Sequence, residues 1–424
     1  MYGQIFYFSK GGHYSVRVKL LILLAFTLSA PFTFAAQIKL GNEVLAEGGF
    51  KELRGKRVGL LTNPSGVNRN LDSTIDVLRA ASGVKLAALF GPEHGIYGSE
   101  FAGTNIESRV DQRTGLKVHS LYGTNRSPTA EALKGLDALV YDLQDTGCRS
   151  YTYISTMGVS MQACGKAGVE FIVLDRPNPL GGERVEGPML EPGFHSMVGK
   201  WKVPYVYGLT CGELARMINS QHWNSNSCKL TVVPMKGWKR SMVWRDTGLP
   251  WVPTSPHVPH GESPLYQVAT GMLGEIGGVS TGIGYTLPFQ CIAAPGIDPH
   301  KLSQVLNAYG LPGVRFNPTT YKPYYFSFKD KEVSGTQVYV TDPARAPLTA
   351  INVYALEALR TQCGRDLFAE ASKTNKSFSM FDKVNGTDRT RKALQSGTSA
   401  ADIVASWKPA EDAFRVLRKQ YLLY

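Results

Sequence analysis

Three apolar runs in this 424-residue chain end abruptly in side chains that can move protons or hold charge. Val84–Phe90 (VKLAALF) runs into GPEHGIYG, which carries Glu93 and His94. Asp137–Leu143 (DALVYDL) contains Asp142 and runs into QDTGCRSYTY, with Gln144, Asp145, Arg149, Tyr151 and Tyr153. Glu170–Pro177 (EFIVLDRP) delivers Asp175 and Arg176, with Asn178 just beyond. A carboxylic acid partly shielded from water at such a place can have its pKa raised and serve as general acid near neutrality. Pro92 fixes the turn around Glu93, and Gly91 and Gly95 permit tight backbone on both sides. Asp142 and Gln144 alternate with Tyr141 and Leu143, so they share a strand face. Arg149 or Arg176 can grip an anionic group through two parallel hydrogen bonds. The plainer reading of Asp175 and Arg176 is a structural ion pair. Tyr151 and Tyr153, with Trp201, Tyr205 and Tyr207, offer flat faces to a sugar or else belong to the core.

Other chemistries leave weaker traces. Glu93, His94, Asp142, Asp145, Asp175, His257 and His260 are metal-ligand types, but no H-E-x-x-H or related spacing is present. There is no G-x-S-x-G nucleophile elbow. No G-x-G-x-x-G follows any strand-like run, so no dinucleotide cofactor is expected. The six cysteines (148, 164, 211, 228, 291 and 363) form no C-x-x-C pair. That leaves a zinc ribbon unsupported and makes buried free thiols the simplest reading for several of them.

The elements that must position these residues alternate. Arg57–Asn63 is an apolar run closed by Asn-Pro, and Asn63 joins the candidate binding residues at its end. A helix is expected over 72–81, then VKLAALF, a short strand in Leu116–Gly123, a short helix from Pro128 to Leu133, and DALVYDL. A helix from Ile154 to Ala167 should stop at Gly168. EFIVLD follows. Thr210 stands three residues before Glu213, the spacing of a capping box, and Lys229–Met235 reads as a last strand. Strands alternating with helices argue for a doubly wound, mostly parallel sheet, whose ligands bind beyond the strands' carboxyl ends.

Residues 241–297 change texture. WVPTSPHVPHGESP is proline-rich and reads as an extended surface loop. The glycine-dense stretch from Gly271 to Gly284 reads either as a place of close backbone approach to a ligand or as a linker. From residue 298 a smaller α+β domain is expected. It has a helix capped by Asp298, antiparallel strands within Tyr324–Asp342, and helices over 351–360, 400–407 and 410–420. The organisation expected is thus a leader over 1–35, a Rossmann-like catalytic domain over 36–240, connecting and cleft loops over 241–297, and an auxiliary domain over 298–424.

The leader combines Lys10, Arg17 and Lys19 with the apolar run Leu20–Leu28 and a small-x-small site at Thr33–Ala35. It is expected to be cleaved near Ala35 and to send the protein to the periplasm or outside the cell, with no stable membrane insertion afterwards. The formal charge is +12; three leader cations leave 12 − 3 = +9. Such a charge suits anionic partners, but the basic residues are scattered, which argues against nucleic acid.

The ordered set GPEHGIYG, YDLQDTGCRSYTYI, DRPNPLGG with VEGPML, GLTCGELA, WVPTSPHVP and FDKVNGTDRTRKALQSGTSAADIVASW…YLLY resembles the bacterial exo-β-N-acetylmuramidases, a glycoside hydrolase family first known as one of unknown function. The resemblance spans about Gly59 to Tyr424. It implies a Rossmann-like catalytic domain with an auxiliary domain, and release of N-acetylmuramic acid from the non-reducing end of peptidoglycan fragments, without a cofactor. It implies that Glu93 is the principal catalytic carboxylate. His94, Asp142, Asp145, Arg149, Tyr151, Asp175, Arg176 and Asn178 fall on matching motif positions. The family's glycine-rich motif, approximately EGTN-x-SEGRGT, is altered here: Glu275 keeps the first acid, but Thr281 and Ile283 replace a Glu and an Arg.

Glycoside hydrolysis commonly uses two carboxyls across the scissile bond. With Glu93 as acid, Asp142, Asp145 and Glu275 are open candidates for the second, unless the substrate's own acetamido oxygen fills that role. Two other readings are a non-catalytic peptidoglycan or carbohydrate binder on the same fold, and a metal-dependent hydrolase.

Overall fold

A computed structural model describes residues 37–424 except 102, 104–106 and 375–376; the expected leader lies outside the described residues. Residues Ile38–Tyr424 form one compact unit. Its strands, in chain order, are β1 (Arg57–Thr62), β2 (Lys85–Gly91), β3 (Arg109–Val110), β4 (Lys117–Ser120), β5 (Ala138–Asp142), β6 (Glu170–Leu174), β7 (Glu186–Met189), β8 (Pro204–Val206), β9 (Leu230–Val233), β10 (Cys291–Ala294), β11 (Val314–Tyr321) and β12 (Val333–Val340).

The main sheet has the order β3-β4-β2-β1-β5-β6-β9 and is parallel except for β3. From β1 the chain winds outward through β2 to β4. It then returns to β5 and winds the other way through β6 to β9. The reversal falls between β1 and β5, which opens a crevice at their carboxyl ends. Register aligns those ends: Leu61 stands beside Phe90 on one side and Tyr141 on the other, and Thr62 beside Asp142. Asn63, Glu93, Gln144 and Asp175 therefore all emerge at one edge. Every residue of β5 and β6 is buried, as expected for strands with both faces covered.

Local signals place the helices. Tyr153–Ala167 stops at Gly168, whose φ of 68° an L side chain adopts only with strain. Thr210 and Glu213 form the reciprocal capping box at the start of Cys211–Ser220. Asp298 accepts from the amides of His300 and Lys301 to start Pro299–Ala308.

The smaller α+β part holds a three-stranded antiparallel sheet, β10-β12-β11. Its apolar core is shared with the helices Ser263–Gly274, Pro299–Ala308 and Leu348–Gln362. Two details differ from the sequence pattern. Besides β10, β12 pairs with Val314–Tyr321 rather than with a strand after Tyr324; Pro318 disguises β11, and is tolerated because β11 is an edge strand. The helices expected over 400–407 and 410–420 are one helix, Ala400–Arg418, running through Pro409. Trp407 and Phe414, buried on either side of the proline, hold it against the core.

The C-terminal residues return to the main sheet. Arg418 donates to the carbonyls of Gly182 (2.9 Å) and Gly208 (2.6 Å). The Tyr424 hydroxyl donates to Asp175 (2.8 Å), accepts from the Met235 amide (2.8 Å), and its ring meets Trp238 edge-on.

Candidate active site

The turn after β2 is the most open of the three strand ends. The Gly95 amide bonds back to Pro92 O at 2.9 Å, which places Glu93 and His94 at the two central positions of a turn. His94 has φ 71°, the left-handed conformation that histidine tolerates better than most side chains. Its Nδ1 lies 2.7 Å from Glu100 O, and the Glu100 amide returns to His94 O at 3.3 Å. His94 thus fixes the turn's shape.

Glu93 is half-buried. Thr152, at the start of the helix after β5, donates its hydroxyl to Glu93 Oε2 at 2.7 Å. The Tyr153 hydroxyl, whose proton goes to the Thr254 carbonyl, lies 3.3 Å from the Glu93 carbonyl. On the other side the Tyr122 hydroxyl bonds the Glu93 carboxyl; burial first, and this bond second, push the Tyr122 phenol up to about 12. The Arg126 guanidinium lies over the Tyr122 ring, 5.9 Å from its centre. Tyr122 and Arg126 escaped the sequence reading because LYGTNR carries no acid and no known spacing; only its place after β4 could have flagged it.

The proline-rich segment from Trp251 is not a loose surface loop. Thr254 is fully buried and sits across the strand ends: its carbonyl accepts from Tyr153 (2.6 Å) and Asn63 (2.9 Å), and its hydroxyl donates to Gln144 O (2.6 Å). His257 lies three residues on; burial, then the His94 charge, hold its imidazole below the usual range. His257 Nε2 in turn meets the Tyr325 hydroxyl at 3.1 Å.

The other predicted residues are committed to the protein itself. Asp142 is fully buried and accepts from Arg176 Nε (2.5 Å) and Nη2 (3.0 Å), from Thr74 (2.5 Å) and from Asn42 (3.4 Å). Arg176 also donates through Nη2 to Val67 O at 2.7 Å. Asp175 accepts from Thr210 Oγ1 (2.7 Å), the amides of Gly212 (2.8 Å) and Arg176 (3.0 Å), and Tyr424 (2.8 Å); burial pushes its carboxyl up to about 6. Asn178 bridges Leu209 O and the Leu180 amide. Gln144 donates to Asp145 O and Pro177 O. Asn63 donates to Tyr153 Oη (2.9 Å) as well as to Thr254, while its Oδ1 accepts from Ser65. These groups frame the crevice and leave Glu93 to face it.

Three expectations are corrected. Arg149 is fully buried, and its guanidinium donates to Pro188 O (2.7 Å), Val203 O (2.8 Å) and Val384 O (2.9 Å), which leaves no face for a substrate anion. Arg176 is likewise closed off by Asp142. Tyr151 and Tyr153 meet each other edge-on at 4.7 Å inside the core, with Trp201, Tyr205 and Tyr207 also buried, so they form no sugar platform. Glu275 follows the last residue of the helix Ser263–Gly274. Asp145 is buried, accepting from Tyr207 and from the Gly147 amide at 2.7 Å. Among the described residues, no three His, Cys, Asp or Glu side chains converge as a metal site.

A partly buried carboxyl held by a threonine and a tyrosine, at the crevice of a doubly wound sheet, makes this an α/β protein with a candidate acid–base site. Comparison with known proteins sharpens that class. The description "Exo-beta-N-acetylmuramidase NamZ, N-terminal" matches residues 58–262, and its C-terminal counterpart matches residues 265–424. The chain is 41% identical over 388 residues, 92% of each protein, to the peptidoglycan beta-N-acetylmuramidase NamZ of Bacillus subtilis (strain 168). Two crystal structures of DUF1343 family proteins from Bacteroides fragilis have the same fold. One is 48% identical with a TM-score of 0.86 and the other 29% identical with a TM-score of 0.74; each match covers 92% of this chain and 99% of the other. The chain belongs to the exo-β-N-acetylmuramidase NamZ family.

Two outcomes follow from the buried acids. Asp142→Ala, which strands Arg176 as an unpaired buried charge, should lower stability in urea unfolding by about 3–5 kcal/mol. Burial pushes the Asp145 carboxyl up to about 6, above its ordinary 3.8. The folded state therefore favours the protonated acid. Its contribution is full below about pH 4 and is lost as pH rises through about 6. Asp145→Asn cannot ionise, so its stability relative to the unsubstituted protein should rise by on the order of 3 kcal/mol across that window.

Proposed function

We propose that this protein is a periplasmic or secreted exo-β-N-acetylmuramidase that removes terminal N-acetylmuramic acid from the non-reducing end of peptidoglycan fragments, with Glu93 as proton donor. The observation that carries the role of Glu93 is its contrast with the other strand-end acids. Asp142 and Asp175 are saturated by protein donors and fully buried, whereas Glu93 is only partly buried, its carboxyl oriented by Thr152 and Tyr122. The leader supports export, and the family supports the substrate.

In this reading Glu93 delivers a proton to the glycosidic oxygen as the C1–O bond breaks. Neither Asp142 nor Asp145 is open to serve as partner. That favours the acetamido oxygen of the muramic residue as nucleophile: it attacks C1, forms a cyclic oxazolinium ion that keeps its N–H proton, and water then reopens it. The ionised Glu93 takes the proton from that water and is reset. Arg126, exposed and carried to this neighbourhood by Tyr122, is the cation suited to the lactyl carboxylate, in place of Arg149 and Arg176.

Glu93→Gln should keep the native melting temperature and lower kcat for release of N-acetylmuramic acid by roughly 10²–10⁴-fold, the range for a lost general acid; undiminished turnover rules the role out. Replacing the substrate's N-acetyl by N-trifluoroacetyl weakens its oxygen as a nucleophile. It should slow the wild-type enzyme by at least tenfold, and an unchanged rate rejects the substrate-assisted step.

A further inference from the structure

Between β11 and β12 the chain makes a loop that displays three consecutive aromatic side chains. Tyr324, Tyr325 and Phe326 are 63%, 45% and 69% exposed, an apolar surface that a protein seldom presents to water without use. The backbone is held in that shape against its own preference. Phe326, Phe328 and Asp330 have φ of 66°, 61° and 62°, a region that bulky L residues avoid. Phe328, by contrast, packs into the core and anchors the loop from below.

The seat of this loop is the glycine-dense segment that ends at Gly284. The Tyr324 amide donates to Gly284 O at 2.7 Å, and the Tyr285 ring stacks on Tyr321 (4.5 Å) and leans on Tyr324 (5.6 Å). A Cβ at Gly284 would stand 1.9 Å from Tyr325 O, so only glycine lets the loop lie there. The close approach expected of these glycines is thus to the protein's own backbone. From that seat the loop reaches the Glu93 edge: Tyr325 bonds His257 and stacks on its ring, and His257 stands three residues beyond Thr254, whose carbonyl accepts from Tyr153, the neighbour of Glu93.

We infer that Tyr324, Tyr325 and Phe326 form the subsite for the leaving side of the glycan, stacking on the sugar that follows the cleaved muramic residue. This rests on the reading of the protein as an exo-acting muramidase. Such an enzyme holds a single sugar on the non-reducing side of the scissile bond, so substrate extends beyond the catalytic pocket only on the leaving side. An aromatic surface contiguous with the Glu93 edge meets that part of the chain. Exposed aromatic faces suit the apolar face of a pyranose ring, and His257 is the positioning residue that holds Tyr325.

The test uses the Glu93→Gln protein, which binds without turnover, and calorimetric titration with two probes. One is the disaccharide of N-acetylmuramic acid linked to N-acetylglucosamine; the other is free N-acetylmuramic acid. Adding Tyr324→Ala and Phe326→Ala should weaken disaccharide binding at least tenfold and leave the monosaccharide unaffected. Tyr324→Phe, which keeps the ring, should retain disaccharide affinity. Gly284→Ala, which displaces the loop without removing a ring, should reproduce the loss. Unchanged disaccharide affinity in the double alanine variant overturns the subsite and leaves the muramidase reading intact. If the Glu93→Gln protein binds neither probe, the muramidase reading falls and the subsite with it.

Discussion

The crevice depends on one buried ion pair. Asp142 ends β5 and Arg176 follows β6, and their bidentate contact joins two strands at the edge where the sheet reverses its winding. The same pair reaches further. Thr74 and Asn42 donate into Asp142 from the first helices, and Arg176 holds the Val67 carbonyl after β1. A buried pair is a poor source of net stability, but breaking one is expensive, because an unmatched charge is then stranded away from water. Its function here is positional: four segments that are distant in sequence are fixed at one point beneath the site.

Above that point the polar residues divide by what they face. Asn63, Gln144, Asp175 and Asn178 bond backbone and side chains of adjoining loops, so that Thr254 and the His257 loop are laid down at a fixed height. Glu93 is held differently. Its donors, Thr152 and Tyr122, come from opposite sides, and the residue is only partly buried. A general acid must be oriented without being neutralised by a fixed cation, and hydroxyl donors do this where an arginine would lock the group ionised.

Much of the fold was legible in the sequence because its signals are local. Apolar runs gave the strands of the main sheet, and Gly168 and the Thr210–Glu213 pair marked helix ends. The roles of the individual residues were less legible. Asp142, Arg149, Arg176 and the tyrosines of YDLQDTGCRSYTY have the composition of a binding site, yet burial turns all of them into scaffold. Composition cannot separate a carboxylate that faces a cleft from one that faces an arginine; that depends on long-range contacts such as Asp142 to Thr74. Strand β11 was hidden by Pro318, whose fitness depends on being at a sheet edge. Tyr122 and the Tyr324–Phe326 loop were missed for the same reason: their meaning comes only from what they stand beside.

The central claim, that Glu93 serves an exo-acting cut of one terminal sugar, is tested most directly by time-resolved mass analysis of products from a defined peptidoglycan tetrasaccharide with N-acetylmuramic acid at its non-reducing end. The account predicts that free N-acetylmuramic acid and the complementary trisaccharide appear first and in equal amounts. Early release of disaccharides by internal cleavage, or of a sugar from the reducing end, would contradict it.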